Sequence, residues 1–346
     1  MSRGPGLAIA AAILFGASTP FAKALLGKVD PALLAALLYL GSGIGLSIVR
    51  TLRLSRNLNT ERLGGRGAAW LAGAILCGGV LGPLLLMFGL TMTPASSASL
   101  LLNLEGVFTA LLAWFVFKEN FDRRIALGMT SIVAGALVLS WQNDFVINGV
   151  LGPLMIASAC IAWAADNNFT RKVALSDPVQ IAMLKGLAAG TVNLMIAVGL
   201  GAALPRLDVL VLATMLGFVG YGLSLVLFVL ALRELGTART GAYYSTAPFI
   251  GAVIAVALFN EPLTPQLLAA GAFMSIGVWL HLTERHEHEH LHEPVTHTHE
   301  HVHDEHHRHT HGADDPHGER HSHRHKHVRL RHRHAHYPDA HHQHGH

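Results

Sequence analysis

The first 280 residues contain no histidine and only two cysteines, Cys77 and Cys160, and their charge is thin, 17 Lys and Arg against 11 Asp and Glu. Over all 346 residues the charged share is 14% and the aromatic share 7%. Soluble globular domains run near a quarter charged, so this chain has too little charge to coat a water-facing surface. Lack of histidine removes the base that a serine nucleophile needs, which leaves Ser96, Ser97 and Ser99 without hydrolase chemistry. It also removes any H-E-x-x-H zinc motif from the same stretch. No Walker-type phosphate loop occurs, so ATP-driven work would require a separate subunit. Both cysteines fall inside apolar runs, where they read as small packing residues rather than a disulfide. The residues give no reading as an enzyme.

What is present is apolar. Hydrophobic residues make up 51% of the chain and mean hydropathy is +0.40. They gather into ten windows of bilayer-spanning length: Gly6–Leu26, Pro31–Val49, Ala68–Leu90, Ala95–Phe117, Ile125–Trp141, Val150–Phe169, Pro178–Leu200, Val209–Leu232, Gly241–Phe259 and Pro265–Leu282. A cleaved leader at the first window is disfavoured by Pro20 and Lys23 within it and by the nine windows that follow. With a cytoplasmic N-terminus, 13 Lys and Arg fall in the inner connections and only Lys28 and Arg206 in the outer ones. That bias predicts both termini on the cytoplasmic side of a multi-pass membrane protein. The basic excess therefore belongs to the membrane face, and no nucleic-acid partner is needed to explain it.

The windows repeat. Asp30-Pro31 opens the second and Asp177-Pro178 the seventh, 147 residues on, each with an Asp able to cap the first amides and a Pro where its missing N–H costs nothing. Phe117-Lys118-Glu119 and Phe259-Asn260-Glu261 close the fourth and ninth at an offset of 142, and Phe15 and Phe21 match Trp163 and Phe169 at 148. Five helices per copy is an odd number, so the second copy enters from the opposite side. The expected fold is an all-α membrane protein of ten transmembrane helices in two inverted five-helix repeats, residues 1–142 and 143–283, with a disordered tail over 284–346. Inverted repeats place a transport site near the midplane between the copies.

Charge inside a span costs about 2.5–3.5 kcal/mol at its centre and marks functional candidates. Four such residues occur: Lys23, Glu105, Asp166 and Lys185. Glu105 sits near mid-span and reads as cavity-lining. Asp166 and Lys185, on adjacent helices, read equally as an ion-paired clamp or as part of a cavity. Lys23, close to a helix end, reads at least as well as an interfacial anchor. Asn167, Asn168 and Asn193 are further cavity candidates, with interhelical hydrogen bonding as the alternative. Gly41-x-x-x-Gly45 and Gly186-x-x-x-Gly190 read as close-packing stripes. Either Glu105 or Asp166 could carry a proton in gradient-driven transport.

All 25 histidines lie at or beyond His281. From Arg285 they alternate with charged or small residues, leaving little apolar area to offset the entropy of ordering. His286, His288, His290, His297, His299, His301, His303, His306, His307, His309 and His311 form the candidate metal ligands. Imidazole and carboxylate donors without thiolate suit nickel, cobalt or zinc, and do not choose among them. The competing readings are a buffering low-complexity segment and a pH sensor. No cofactor is required by the body.

Phe15-Gly16-Ala17-Ser18-Thr19-Pro20-Phe21-Ala22-Lys23 resembles the first helix of EamA-type members of the drug/metabolite transporter superfamily. The stretch Asn103 to Trp114, ending at Lys118-Glu119, resembles that family's fourth-helix signature, with Gly106 where the family usually has proline. The tail and Asp166-Asn167-Asn168 add a narrower similarity to histidine-tailed nickel and cobalt resistance exporters. These resemblances imply five-plus-five helices and a secondary-active exporter. Divalent metal, nickel or cobalt, is the first expected cargo. Export of a small organic metabolite with a regulatory tail is the alternative, and a membrane-tethered metal buffer or sensor the third. The bilayer and a small ion or molecule are the expected partners; the sequence leaves the oligomeric state open.

Overall fold

The computed structural model describes residues 4–52, 65–116, 123–141, 147–173 and 177–283, and the segments 287–292, 296–301, 321–326 and 330–335. The chain divides into two units, Met1–Glu284 and Arg285–His346.

In the first unit the helices run α1 (Gly4–Leu26), α2 (Pro31–Leu52), α3 (Gly65–Ala74), α4 (Gly82–Met92), α5 (Ala95–Leu101), α6 (Leu104–Phe115) and α7 (Arg123–Ser140). They continue as α8 (Ile147–Arg171), α9 (Pro178–Gly199), α10 (Leu207–Leu216), α11 (Ser224–Tyr244), α12 (Ala247–Phe259) and α13 (Pro265–Leu282). Two π-helical segments, π1 (Ile75–Leu81) and π2 (Gly217–Leu223), join α3 to α4 and α10 to α11. Among the described residues, eight helical stretches are long and apolar enough to cross a membrane. The last two expected spans are shorter apolar helices, Ala247–Phe259 and Pro265–Leu280.

Local chemistry explains the boundaries. Asp30 Oδ1 accepts from the Ala32 and Leu33 amides at 2.9 and 3.3 Å, and Asp177 Oδ1 from Val179 at 2.9 Å. Each thereby fills an orphan donor at the start of a proline-led helix. Thr264 does the same for Leu267 ahead of Pro265.

Two expected spans carry an irregular turn. The fourth, still one apolar helical stretch from Ala95 to Leu112, has it at Leu102–Asn103, between α5 and α6, and the ninth has it at Ser245–Thr246, between α11 and α12. The connection expected before Gly241 is helical, because α11 runs on through it to Tyr244. Apolar patterning reports which residues avoid water; it carries little information about where the backbone interrupts itself.

Burial is inverted relative to a soluble protein. Ser18, Asn103, Asp166, Lys185 and Asn193 are buried, whereas Ile44, Leu76, Leu137, Val198 and Leu212 are exposed. Such an apolar exterior is the surface a lipid bilayer covers. Inside, α2 and α9 pack with backbones almost in contact. A Cβ at Gly43 would lie 2.5 Å from the Leu187 amide nitrogen, and one at Gly190 2.6 Å from that of Leu40. Gly186 meets Gly43 in the same seam, while Gly41 and Gly45 face Thr214 and Phe218 instead. Of the two expected stripes, therefore, one packs against α9 through the glycine between its marked positions. Cys77 and Cys160 are free thiols, half-buried and buried.

In the second unit four short segments are described. Four strands, β1 (Glu287–His292), β2 (Thr296–His301), β3 (His321–Lys326) and β4 (Leu330–Ala335), pair antiparallel as β1 with β4 and β2 with β3. Strict alternation of histidine has the two-residue period of a strand. His288 lies opposite His334, His290 opposite His332, and His297, His299 and His301 opposite His325, His323 and His321. His286, His303, His306, His307, His309 and His311 lie outside the described residues, as do Lys118 and Glu119.

Candidate functional site

Residues beside the two irregular turns and residues of π2 line one cavity of about 80 Å³, while π1 lies behind it and holds lining residues in place. Glu105, in the first turn of α6, and Tyr244, at the end of α11, reach it from the two breaks. From π2 come Gly220 and Tyr221. A π-helical turn widens the backbone and frees its carbonyls, and such turns are frequent at functional sites. In π1 the freed groups are used: Gly78 O accepts from Tyr39 Oη at 2.6 Å and Trp163 Nε1 at 2.9 Å, and Gly79 O accepts from Asn193 Nδ2 at 2.9 Å. Gly78 also abuts Asp166, whose carboxylate occupies the space a Cβ there would need.

Four sequence-predicted residues come together in this cavity: Glu105, Asp166, Asn167 and Lys185. Lys185 Nζ donates to both Asp166 oxygens, at 2.6 and 2.7 Å, and Thr170 Oγ1 donates to Asp166 Oδ1 at 2.8 Å. The pair is buried, so each charge depends on the other for what water would otherwise supply. Glu105 is only half-buried, and its Oε1 accepts from Asn167 Nδ2 at 2.7 Å. Three predicted residues lie elsewhere. Asn168 is tied to Ala164 O of its own helix, Asn193 braces π1, and Lys23 donates to Leu90 O away from the cavity.

Aromatic side chains form the walls. Phe15 is central, with ring centroids 6.2 Å from Trp163, 5.7 Å from Tyr221 and 5.6 Å from Tyr244. Tyr39 extends the cluster through Tyr221 at 5.5 Å, and Phe228 through Tyr244 at 4.7 Å. The Tyr221 hydroxyl is buried without a hydrogen-bond partner, which leaves a donor and acceptor available to a guest. Sequence reasoning missed this wall although a signal existed. The chain has five tyrosines, and Tyr39, Tyr221 and Tyr244 are three of them. A second missed residue is Glu261, whose carboxylate accepts from the Ala95 and Ser96 amides at 2.7 and 2.8 Å. It ties the end of α12 to the start of α5. Among the described residues no three His, Cys, Asp or Glu side chains converge as a metal site.

The sequence profile of the EamA-like transporter family matches residues 2–141 and again 150–283. The chain belongs to the EamA-like transporter family. It is 29% identical over 288 residues to a protein of Methanothermobacter thermautotrophicus named "Uncharacterized transporter", covering 79% of this chain and 84% of the relative. It is 26% identical over 213 residues to a Salmonella typhimurium protein named "Probable amino-acid metabolite efflux pump", covering 55% and 68% respectively. A solved crystal structure superposes with a TM-score of 0.62 at 20% identity, over 81% of this chain and 95% of the other, which shows the shared fold. This EamA-like transporter is thus a membrane protein built from two matched copies, with the bilayer and a small molecule as its partners. Its cavity draws lining residues from both copies, Glu105 from the first and Lys185 from the second.

Proposed function

We propose that this EamA-like protein is a secondary-active exporter of a small organic solute, bound in the cavity around Glu105, with the two copies inverted and both termini cytoplasmic. The observation that carries this reading is the cavity wall, apolar and aromatic with a few convergent polar groups, which is the usual make-up of a small-molecule site. The two helix breaks at corresponding places in the copies support it, since interrupted helices frame the substrate in transporters of this kind. Glu105 is the ionisable group free to take up a proton from a gradient, because Asp166 is committed to Lys185. Reconstituted vesicles with an imposed pH gradient test this: Glu105→Gln abolishes gradient-driven solute movement. Unchanged gradient-driven movement in that variant would reject the role of Glu105.

Nickel or cobalt as cargo is the second reading, favoured by one observation. The tail's ladders set five histidines opposite five others, so that imidazole pairs recur along a strand face. Closely spaced imidazoles suit nickel, cobalt or zinc. In this reading the tail gathers ions for the body, whereas in the first it binds them to regulate. Comparing the full chain with one truncated after Arg285, in a vesicle assay resolving metals from organic solutes, separates the two.

A further inference from the structure

Taking the organic-solute reading as its basis, we propose that the cavity selects organic cations, amines that carry no free carboxylate. Besides its tyrosines, the cavity is lined by three ionisable side chains, Glu105, Asp166 and Lys185. Lys185 is the cationic member, and both of its short contacts go to Asp166 oxygens, at 2.6 and 2.7 Å. That pair cancels formally, leaving Glu105 as the unbalanced charge. The Glu105 carboxylate has Asn167 as its hydrogen-bond donor, at Oε1, and no cationic side chain bonded to it among the described residues. A guest ammonium would complete the charge balance. A guest carboxylate would face Glu105 across the cavity with Lys185 already committed.

The walls favour the same sign. Phe15, Tyr39, Trp163, Tyr221, Phe228 and Tyr244 surround the space, and aromatic faces attract cations, most strongly where water is excluded. The unpartnered Tyr221 hydroxyl adds an acceptor for an ammonium proton. A bare divalent ion is poorly served here, because hard divalent ions need several oxygen ligands and most of this lining is carbon.

The test uses the full chain in liposomes and three probes with the same phenyl ring: phenethylamine, phenylalanine and 3-phenylpropionate, a cation, a zwitterion and an anion. The expected result is phenethylamine moving about tenfold faster than 3-phenylpropionate. Read as downhill exchange with no imposed pH gradient, which does not require proton coupling, Glu105→Gln removes that preference and Glu105→Asp restores part of it, with both variants checked for monodisperse folding. Phenylalanine or 3-phenylpropionate moving as fast as phenethylamine in the unaltered protein overturns the cation selectivity and leaves an organic-solute transporter standing. Movement of nickel or cobalt with none of the three probes overturns the organic-solute reading and this inference together.

Discussion

At residues 75–81 the first EamA-like copy uses two carbonyl oxygens, Gly78 and Gly79, to hold Tyr39, Trp163 and Asn193. At 217–223, 142 residues later, the second copy has the same π-helical turn but contributes a side chain, Tyr221, to the cavity. The breaks pair in the same way. Glu105 follows the one at Leu102–Asn103, while Ala247 and Pro248 follow the one at Ser245–Thr246. The copies thus share the backbone irregularities that open a cavity, and differ in the polar groups that fill it. Backbone devices follow from the packing of any five-helix copy, whereas charge in an apolar setting is kept only where it has a partner or a task.

Removing one partner of the buried pair gives the largest expected effect on this contrast. Asp166→Asn or Lys185→Met leaves an uncompensated buried charge and lowers stability by about 3–5 kcal/mol, read as thermal unfolding of the purified protein. The double variant regains most of that loss; a double variant as unstable as the singles would mean the pair is not the source. Next comes Gly78→Ala, which pushes a methyl group into the Asp166 carboxylate and costs about 1–3 kcal/mol. Gly106→Ala, where a Cβ meets nothing within 4 Å, is neutral or slightly stabilising by the same measurement. Equal losses at both glycines would remove the close-approach argument.

Smaller still is the link between copies at Glu261. Glu261→Gln keeps the shape but loses the charge and one of the two acceptors, because its amide nitrogen cannot accept from a backbone N–H, and is expected to cost about 1–2 kcal/mol in melting experiments. A loss as large as that of the buried pair would shift the weight of the fold from the cavity to this link. Smallest is Tyr221→Phe, which removes a buried hydroxyl with no hydrogen-bond partner within bonding geometry among the described residues. Stability changes by about 0.5 kcal/mol or less while the Kd for transported solute rises several-fold. A large stability loss instead would show that the hydroxyl has a structural partner.

How much of this was legible beforehand differs by level. The spans were readable because an 18- to 26-residue apolar run has few other physical outcomes, and the Asp-Pro starts at 30–31 and 177–178 were readable because capping is local. Glu105, Asp166, Asn167 and Lys185 stood out by cost alone, as charged or amide groups in apolar helices. The same criterion also raised Lys23, Asn168 and Asn193, which bond elsewhere, since burial cost does not say where a side chain ends. Glu261 read only as part of a repeated span-closing motif, because charge just past a helix end is ordinary until α5 is placed beside it.

The sequence by itself therefore determined the apolar body, the duplicated copies and the confinement of histidine to the region beyond residue 280, all properties of local composition and spacing. Only the tertiary structure decided that Lys185 is neutralised by Asp166 while Glu105 is not, and that an aromatic cluster surrounds them. Pairing and enclosure depend on which helices become neighbours. That is fixed by glycine seams and helix breaks acting between segments far apart in the chain, which no local pattern encodes.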